Sequence, residues 1–229
     1  MIPIYREHMT EYEKISLLQC CRVLSRYDIS FVAPANLRVD KYLEFLPQAK
    51  IVSFPDDCFS GIASYNQLML SPGFYDKFLS YSYLLLYQLD AFAFKDELEL
   101  FCDMGYDYIG ALWPLGIRMS FNQKTASCYV GNGGFSLRHV EHSLQLLLEL
   151  GEKVKRWPEN EDVFWSFYGE VCKDKFSVAP IEVAEKFSFE QIPRQLYEKI
   201  GQLPFGSHAW YKYDIGFMRE IFLSYGYHI

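Results

Sequence analysis

Residues 83–89 read Tyr-Leu-Leu-Leu-Tyr-Gln-Leu, an apolar run with one polar member, and Asp90 follows at once. A run with no alternation of apolar and polar residues reads as a strand covered on both faces, the condition of a strand inside a parallel sheet. The segments around it fit such a sheet. Ile2–Tyr5 is a first strand. Thr10-Glu11-Tyr12-Glu13 spells a capping box, and Leu17, Cys21 and Leu24 follow at helical spacing. Ile29–Ala33, Lys50–Phe54 and Tyr108–Ala111 are further strands, and Tyr65–Leu70 and Phe74–Leu79 are helical.

Later in the chain the order loosens. Pro114–Lys124 reads as a loop, with Cys128–Val130 and Phe135–Leu137 as strand pieces around a glycine-rich turn. Val140–Leu150 and Asp162–Tyr168 read as helices, Phe176–Ala179 as extended, and the segment after Pro204 as mostly irregular. Strands alternating with helices predict an α/β fold: a mostly parallel central sheet with helices on both faces. The chain has 229 residues, half of them apolar, and no repeat or linker interrupts it, which suits a single domain. In such sheets ligands bind beyond the carboxyl ends of the strands.

Charge narrows the partners. A formal net charge of -7 repels a phosphate backbone, so nucleic acid is not expected. The six cysteines show no C-x-x-C spacing and read as reduced thiols. No signal-like segment or membrane-length apolar run occurs, so a cytoplasmic protein is expected, with room for peripheral association at the inner face of a membrane. Aromatic residues make up 18 % of the chain, enough for both a core and a sugar site.

Four groups carry candidate chemistry. Asp90 ends the buried strand, where a carboxylate needs a cation or donor to offset desolvation, or else caps a turn. Gly131-Asn132-Gly133-Gly134 permits positive φ and close backbone approach, and it is neither a Walker loop nor a dinucleotide fingerprint. Glu161 and Asp162 open a helix, where acids suit the dipole and where one could act as a general base. His208, in Gly206-Ser207-His208-Ala209-Trp210, is a candidate metal or diphosphate ligand. No G-x-S-x-G elbow occurs to support a hydrolase.

The order of these segments resembles a family of largely uncharacterised bacterial and fungal proteins assigned as glycosyltransferases, and more loosely GT-A enzymes in general. The segments are Ile-Pro-Ile-Tyr, Tyr-Asn-Gln-Leu-Met-Leu, Tyr-Gln-Leu-Asp-Ala-Phe, Gly-Asn-Gly-Gly-Phe-Ser-Leu-Arg, Asn-Glu-Asp-Val-Phe and Pro-Phe-Gly-Ser-His-Ala-Trp. The resemblance implies a GT-A-like fold, with a donor-binding half over about 1–112 and an acceptor and catalytic half over about 113–229. It implies a nucleotide-sugar donor, a glycan or glycolipid acceptor, and Mn²⁺ or Mg²⁺ as cofactor. Asp90 matches the last acid of the metal motif, with Gln88 in place of the first, and His208 matches the late metal-ligating histidine. Pro3, Ile4 and Tyr5 fall at the nucleotide base, and Asn66 and Gln67 near the donor. Gly133 and Gly134 would leave room for sugar and acceptor. Glu161 and Asp162 match the acidic pair that supplies the base in inverting members, Asp162 being preferred and Glu161 the alternate. Trp113, Tyr129, Trp165 and Trp210 are candidate stacking rings. A non-catalytic nucleotide-sugar or glycan-binding module is the alternative. A nucleotidyltransferase stands behind both, because Tyr5-Arg6-Glu7-His8 replaces the glycine-rich loop expected after the first strand.

Overall fold

The computed structural model describes all 229 residues. Its strands are β1 (Ile2–Pro3), β2 (Ser30–Pro34), β3 (Lys50–Phe54), β4 (Tyr83–Tyr87), β5 (Phe92–Ala93), β6 (Tyr108–Ile109), β7 (Ala111–Phe121), β8 (Lys124–Gly131), β9 (Phe135–His139), β10 (Ser188–Phe189) and β11 (Gly206–Ser207). β1, β2 and β3 pair in parallel, while β9 lies antiparallel between β4 and β6. Met1 joins these two groups: its amine donates to Leu85 O and its carbonyl accepts from Tyr87 N, the offset pattern of a parallel pair. The strands therefore run β3-β2-β1-β4-β9-β6, with β9 alone reversed. This is the mostly parallel α/β sheet that the sequence led us to expect.

The unbroken apolar run of β4 does what its composition requires. Leu84 and Leu86 enter one core of 26 buried residues, and Leu85 and Tyr87 enter another of 24 on the opposite face. Layers of similar size on both faces make a strand with no polar side stable here. The capping box forms: Thr10 Oγ1 accepts from Glu13 N at 3.2 Å, and Glu13 Oε2 accepts from Thr10 N at 2.7 Å. The helix it starts, Glu11–Leu24, buries Leu17, Cys20 and Leu24, so Cys20 takes the inward place expected of Cys21.

Two expectations are corrected. Pro114–Lys124 is no loop but most of one arm of a hairpin, β7 paired antiparallel with β8. A register shift between Leu112 and Ile117 absorbs Pro114 and Gly116, and Asn122 and Gln123, both at positive φ, make the tight turn. The segment after Pro204 also holds a helix, Ile215–Ser224, capped by Asp214, whose Oδ1 accepts from Phe217 N at 3.0 Å. Phe217, Met218 and Phe222 pack on Phe92 and Trp210 of the same chain. No helix is long and apolar enough to cross a membrane.

Candidate active site

Three very short strands build one wall of a cleft beyond the carboxyl ends of β1 and β4. Phe189 of β10 lies beside Ser207 of β11, which in turn lies beside Phe92 of β5. Glu190, His208 and the turn bearing Asp90 therefore arrive together. His208 Nε2 is 3.1 Å from Asp90 Oδ1, and Nδ1 is 3.5 Å from Glu190 Oε1. Neither ring nitrogen has a well-directed hydrogen bond, although the ring is buried. Burial by itself lowers an imidazole pKa; the two carboxylates close to the ring, Asp90 and Glu190, outweigh it and raise His208 to about 9. Burial pushes Asp90 upward, but His208 more than reverses that, so its carboxyl sits below the usual value. The Asp90 turn is pinned by Gln88 N, which donates to Gly134 O at 2.8 Å.

This set fits a divalent cation. Carboxylate oxygens suit Mg²⁺ and Mn²⁺, and imidazole is tolerated by the softer transition ions. The 3.1 Å between Asp90 Oδ1 and His208 Nε2 is close to the roughly 3 Å edge between neighbouring ligands of an octahedral ion bound at about 2.1 Å. Asp90 Oδ1 and His208 Nε2 are the pair that could share one ion, while Glu190 faces the other ring nitrogen, where it would orient the imidazole.

The opposite wall is the start of the helix Glu161–Val171. Its own N-cap, Asn160, makes no side-chain cap bond. The cap comes from the helix Ile62–Met69: Asn66 Oδ1 accepts from Glu161 N at 2.9 Å, and Asn66 Nδ2 holds Asn160 Oδ1 at 3.1 Å. Glu161 is closed in. Its Oε1 accepts from Arg138 Nη2 at 2.9 Å, and its Oε2 accepts from Trp165 Nε1 at 2.9 Å. Arg138 is itself 1 % exposed and also donates to Ser136 and Tyr75. With both oxygens already accepting from Arg138 and Trp165, and the side chain buried, Glu161 is not turned to an acceptor hydroxyl, which corrects Glu161 as the alternate base. Asp162 differs. It has no cation partner, and its one hydrogen bond is local, from Val163 N to Oδ1 at 2.8 Å. Burial, with the Glu161 charge behind it, raises its carboxyl to about 6.

The glycine turn joins the two walls. Its left-handed residue is Asn132 (φ 71), not a glycine, and Asn132 Oδ1 accepts from Gly134 N at 3.1 Å. A Cβ on Gly133 would lie 2.0 Å from Glu161 Oε1, and one on Gly134 would lie 2.0 Å from His208 Nε2. Both glycines line the cleft, but the space they leave is filled by the protein's own carboxylate and imidazole. That corrects the expectation that the space serves sugar and acceptor.

The cleft between the walls has a volume of about 630 Å³ and is bordered by Asn66, Gln88, Asp162, Glu190, His208 and Lys212. Beside it lies a pocket of about 380 Å³ lined by Pro3, Ile4, Arg6, Asp90 and Tyr211. Tyr5 and Gln88 border both spaces. Tyr5 packs edge-on against Tyr65 and near Phe59, giving an aromatic wall. Of the residues expected at the donor, only Gln67 misses both spaces: one position past Asn66 on its helix, it faces a neighbouring groove. The expected stacking rings lie elsewhere too. Trp113, Trp165 and Trp210 are core residues, and Tyr129 sits on the hairpin. Glu190, Arg138, Lys212 and Tyr65 were missed as site residues. Arg138 had a signal, since it closes the Gly-Asn-Gly-Gly-Phe-Ser-Leu-Arg segment.

One more group of metal-ligand atoms, from Asp107, His139 and His142, lies within 4.8 Å of one another. It sits where β9 ends and β6 begins, at the rim opposite the cleft. His142 Nδ1 is 2.5 Å from Asp107 Oδ1, Ser177 donates twice to Asp107 Oδ2, and His139 Nδ1 caps the helix at His142 N. These atoms already have partners.

A family model described as "Protein of unknown function (DUF5672)" matches residues 48–208, the stretch that holds Asp90, the glycine turn, Asp162, Glu190 and His208. No curated protein sequence matches the chain. Among solved structures the chain is similar to the glycosyltransferase GlyE of Streptococcus pneumoniae TIGR4, at TM-score 0.56 and 16 % identity over 98 % of this chain. It spans only 59 % of the length of that GlyE chain. It is similar to galactosyltransferase LgtC in complex with donor and acceptor sugar analogues, at TM-score 0.58 and 12 % identity, covering 90 % of this chain and 85 % of that one. Mouse xyloside xylosyltransferase 1 matches at TM-score 0.51 and 13 % identity, covering 90 % and 96 %. At these identities the likeness is one of fold, and the fold is that of GT-A glycosyltransferases.

Proposed function

Starting from a chain that belongs to the DUF5672 family of proteins of unknown function, we propose that it transfers a sugar from a nucleotide-sugar donor to a hydroxyl of a glycan or lipid-linked glycan. UDP-sugar is the default donor. The observation that carries this is Asp162: a carboxylate without a counter-ion, raised to about 6, in one cleft with Glu190 and His208, while Asp90 meets His208 from the adjoining pocket.

In an inverting displacement the acceptor oxygen forms a bond to the anomeric carbon while the bond to the donor diphosphate breaks. The acceptor proton passes to Asp162, and the electron pair leaves on the diphosphate oxygen. A positioned base of this kind contributes about 10²–10⁴-fold, and a pKa near 6 leaves it ionised at neutral pH and still basic. Asp90 and His208 would hold Mn²⁺ or Mg²⁺, with Glu190 behind the imidazole, and the ion when bound neutralises charge on a departing diphosphate. Lys212, exposed at the rim in the field of Glu190 and Asp90, adds a cation for the phosphates. Tyr5, with Tyr65 and Phe59 behind it, gives the nucleotide base a flat apolar wall beside Pro3 and Ile4. In this scheme residues 1–112 supply most donor contacts and residues 113–229 supply the base.

The test is a panel of nucleotide-sugars screened by thermal shift with Mn²⁺, followed by assay of sugar release. A ligand of the native state raises the melting point by mass action. We expect one nucleotide-sugar class to stabilise the protein and to be turned over slowly to water. Nucleotide binding without turnover under any metal would favour the binding module instead, and release of pyrophosphate from a sugar phosphate and a nucleoside triphosphate would favour the nucleotidyltransferase.

A further inference from the structure

A second groove opens directly off the cleft. It has a volume of about 820 Å³, against about 630 Å³ for the cleft, and the two share Ile62, Asn66 and Asn160 as a common border. Asn160 lies two residues before Asp162, so anything that enters along the groove meets the proposed base at its inner end. Its floor is half-buried Trp157, held by Nε1, which donates to Asn160 O at 3.1 Å, and by packing on Phe121 and Phe164. Ile62 and Leu148 stand on its sides at 77 % and 62 % exposure, although Leu148 belongs to a helix with an inward apolar face. Beside these apolar groups Gln67 offers a free amide, while the polar side chains of Asn66 and Ser71 are already bonded within the protein.

We propose that this groove holds the non-reacting sugars of a neutral oligosaccharide acceptor. The proposal rests on the glycosyltransferase function above and adds to it the class of acceptor. Pyranose rings present apolar C–H faces and hydroxyl edges, which an aromatic floor and amide-bearing sides complement. Charge decides between acceptors. The groove carries one lysine, Lys155, and two glutamates, Glu152 and Glu159, and the lysine is already paired with Glu152 at 2.6 Å. That leaves one net negative charge and no arginine, a poor setting for phosphate or carboxylate groups. An alkyl chain is disfavoured because it would leave the Gln67 amide and the Glu159 carboxylate covered without partners.

The experiment uses the full chain and an immobilised panel of neutral oligosaccharides, oligosaccharides bearing carboxylates or phosphates, and long-chain alkyl glycosides of a single sugar. UDP binding with Mn²⁺ is followed in parallel by thermal shift. The expected result is retention of at least one neutral oligosaccharide, weakened about tenfold or more in Ile62→Asp and in Leu148→Asp, with UDP binding unchanged in Leu148→Asp, which lies outside the cleft. Both positions are exposed, so neither substitution threatens folding as a change at Trp157 would. Preference for charged or alkyl probes, absence of any retained neutral oligosaccharide, or retention indifferent to both substitutions would overturn the proposal. Loss of UDP binding by the wild-type chain would instead strike the glycosyltransferase function itself.

Discussion

The two walls of the cleft hold charge in opposite ways. In the Arg138–Glu161 pair, side chains 1 % and 5 % exposed have partners for both carboxylate oxygens, so the pair is closed. Across the cleft, His208 sits between Asp90 and Glu190 with both ring nitrogens lacking well-directed hydrogen bonds; Asp162, on the same wall as Glu161, is likewise without a cation partner. A buried charge with its valences filled supports a structure, while one with open positions is available to a ligand or a proton. Glu161 and Asp162 make the contrast at adjacent residues: the first is locked, the second is free.

The largest expected effect breaks the free side. Asp162→Asn should lower kcat by roughly 10²–10⁴-fold while leaving nucleotide binding intact. It should also stabilise the protein at neutral pH, because the folded-state pKa of Asp162 is raised from 3.8 to about 6. Stability gained by protonating Asp162 is fully present below about pH 4 and is lost as pH rises through about 6. At neutral pH the ionised group therefore costs up to about 3 kcal/mol, which asparagine removes. In the wild type, kcat/KM should fall about tenfold per unit below pH 6. A variant that kept its rate, or that melted lower, would end the assignment of Asp162 as base.

On the closed side the effect falls on folding. Arg138→Met leaves Glu161 buried and unpaired and should cost about 3–5 kcal/mol in urea unfolding. The double change Arg138→Met with Glu161→Leu should recover much of that loss, since removing both charges leaves none uncompensated. If the single variant were as stable as the wild type, the two walls would not differ as described. Next in size, Asp90→Asn should reduce turnover by roughly 10²–10³-fold, the usual scale for losing one group that stabilises developing charge. Full activity in this variant with chelator present would remove the metal from the scheme.

The parts of this contrast legible in the sequence are those set by local pattern. The β4 run, the capping box at Thr10 and the acids opening the Glu161 helix each announce themselves within a few residues. The hairpin was hidden because Pro114 and Gly116 interrupt the alternation Ile117, Met119, Phe121 that marks its strand. Glu190 was invisible for another reason. It reaches His208 through the parallel pairing of two-residue strands, a long-range contact that leaves no periodicity to find. Arg138 stood in a recognisable segment, but its pairing with Glu161, 23 residues on, left no such trace. Asp90, His208 and Asp162, singled out in the sequence, lie at one rim of the sheet. Sequence misplaced Gln67 because a step of one residue turns a helix side chain by about 100°.

The smallest expected effect sharpens the comparison where the walls meet the acceptor groove. Asn66 was expected to touch the donor, yet its side chain is used up holding the Glu161 helix: Oδ1 takes the Glu161 amide and Nδ2 takes Asn160 and Ile62 O. It is therefore a positioning residue, an N-cap supplied from a different helix. Replacing a capping side chain by alanine costs about 0.5–2 kcal/mol, and Asn66→Ala should fall in that range. Because the freed end of the helix carries Asp162, kcat should drop with it while the donor KM stays put. Asn66→Asp should restore much of both, since aspartate also accepts from a helix amide. A change in donor KM with kcat preserved would return Asn66 to the donor site and leave the Asp162 helix without its cross-chain cap as an explanation of rate.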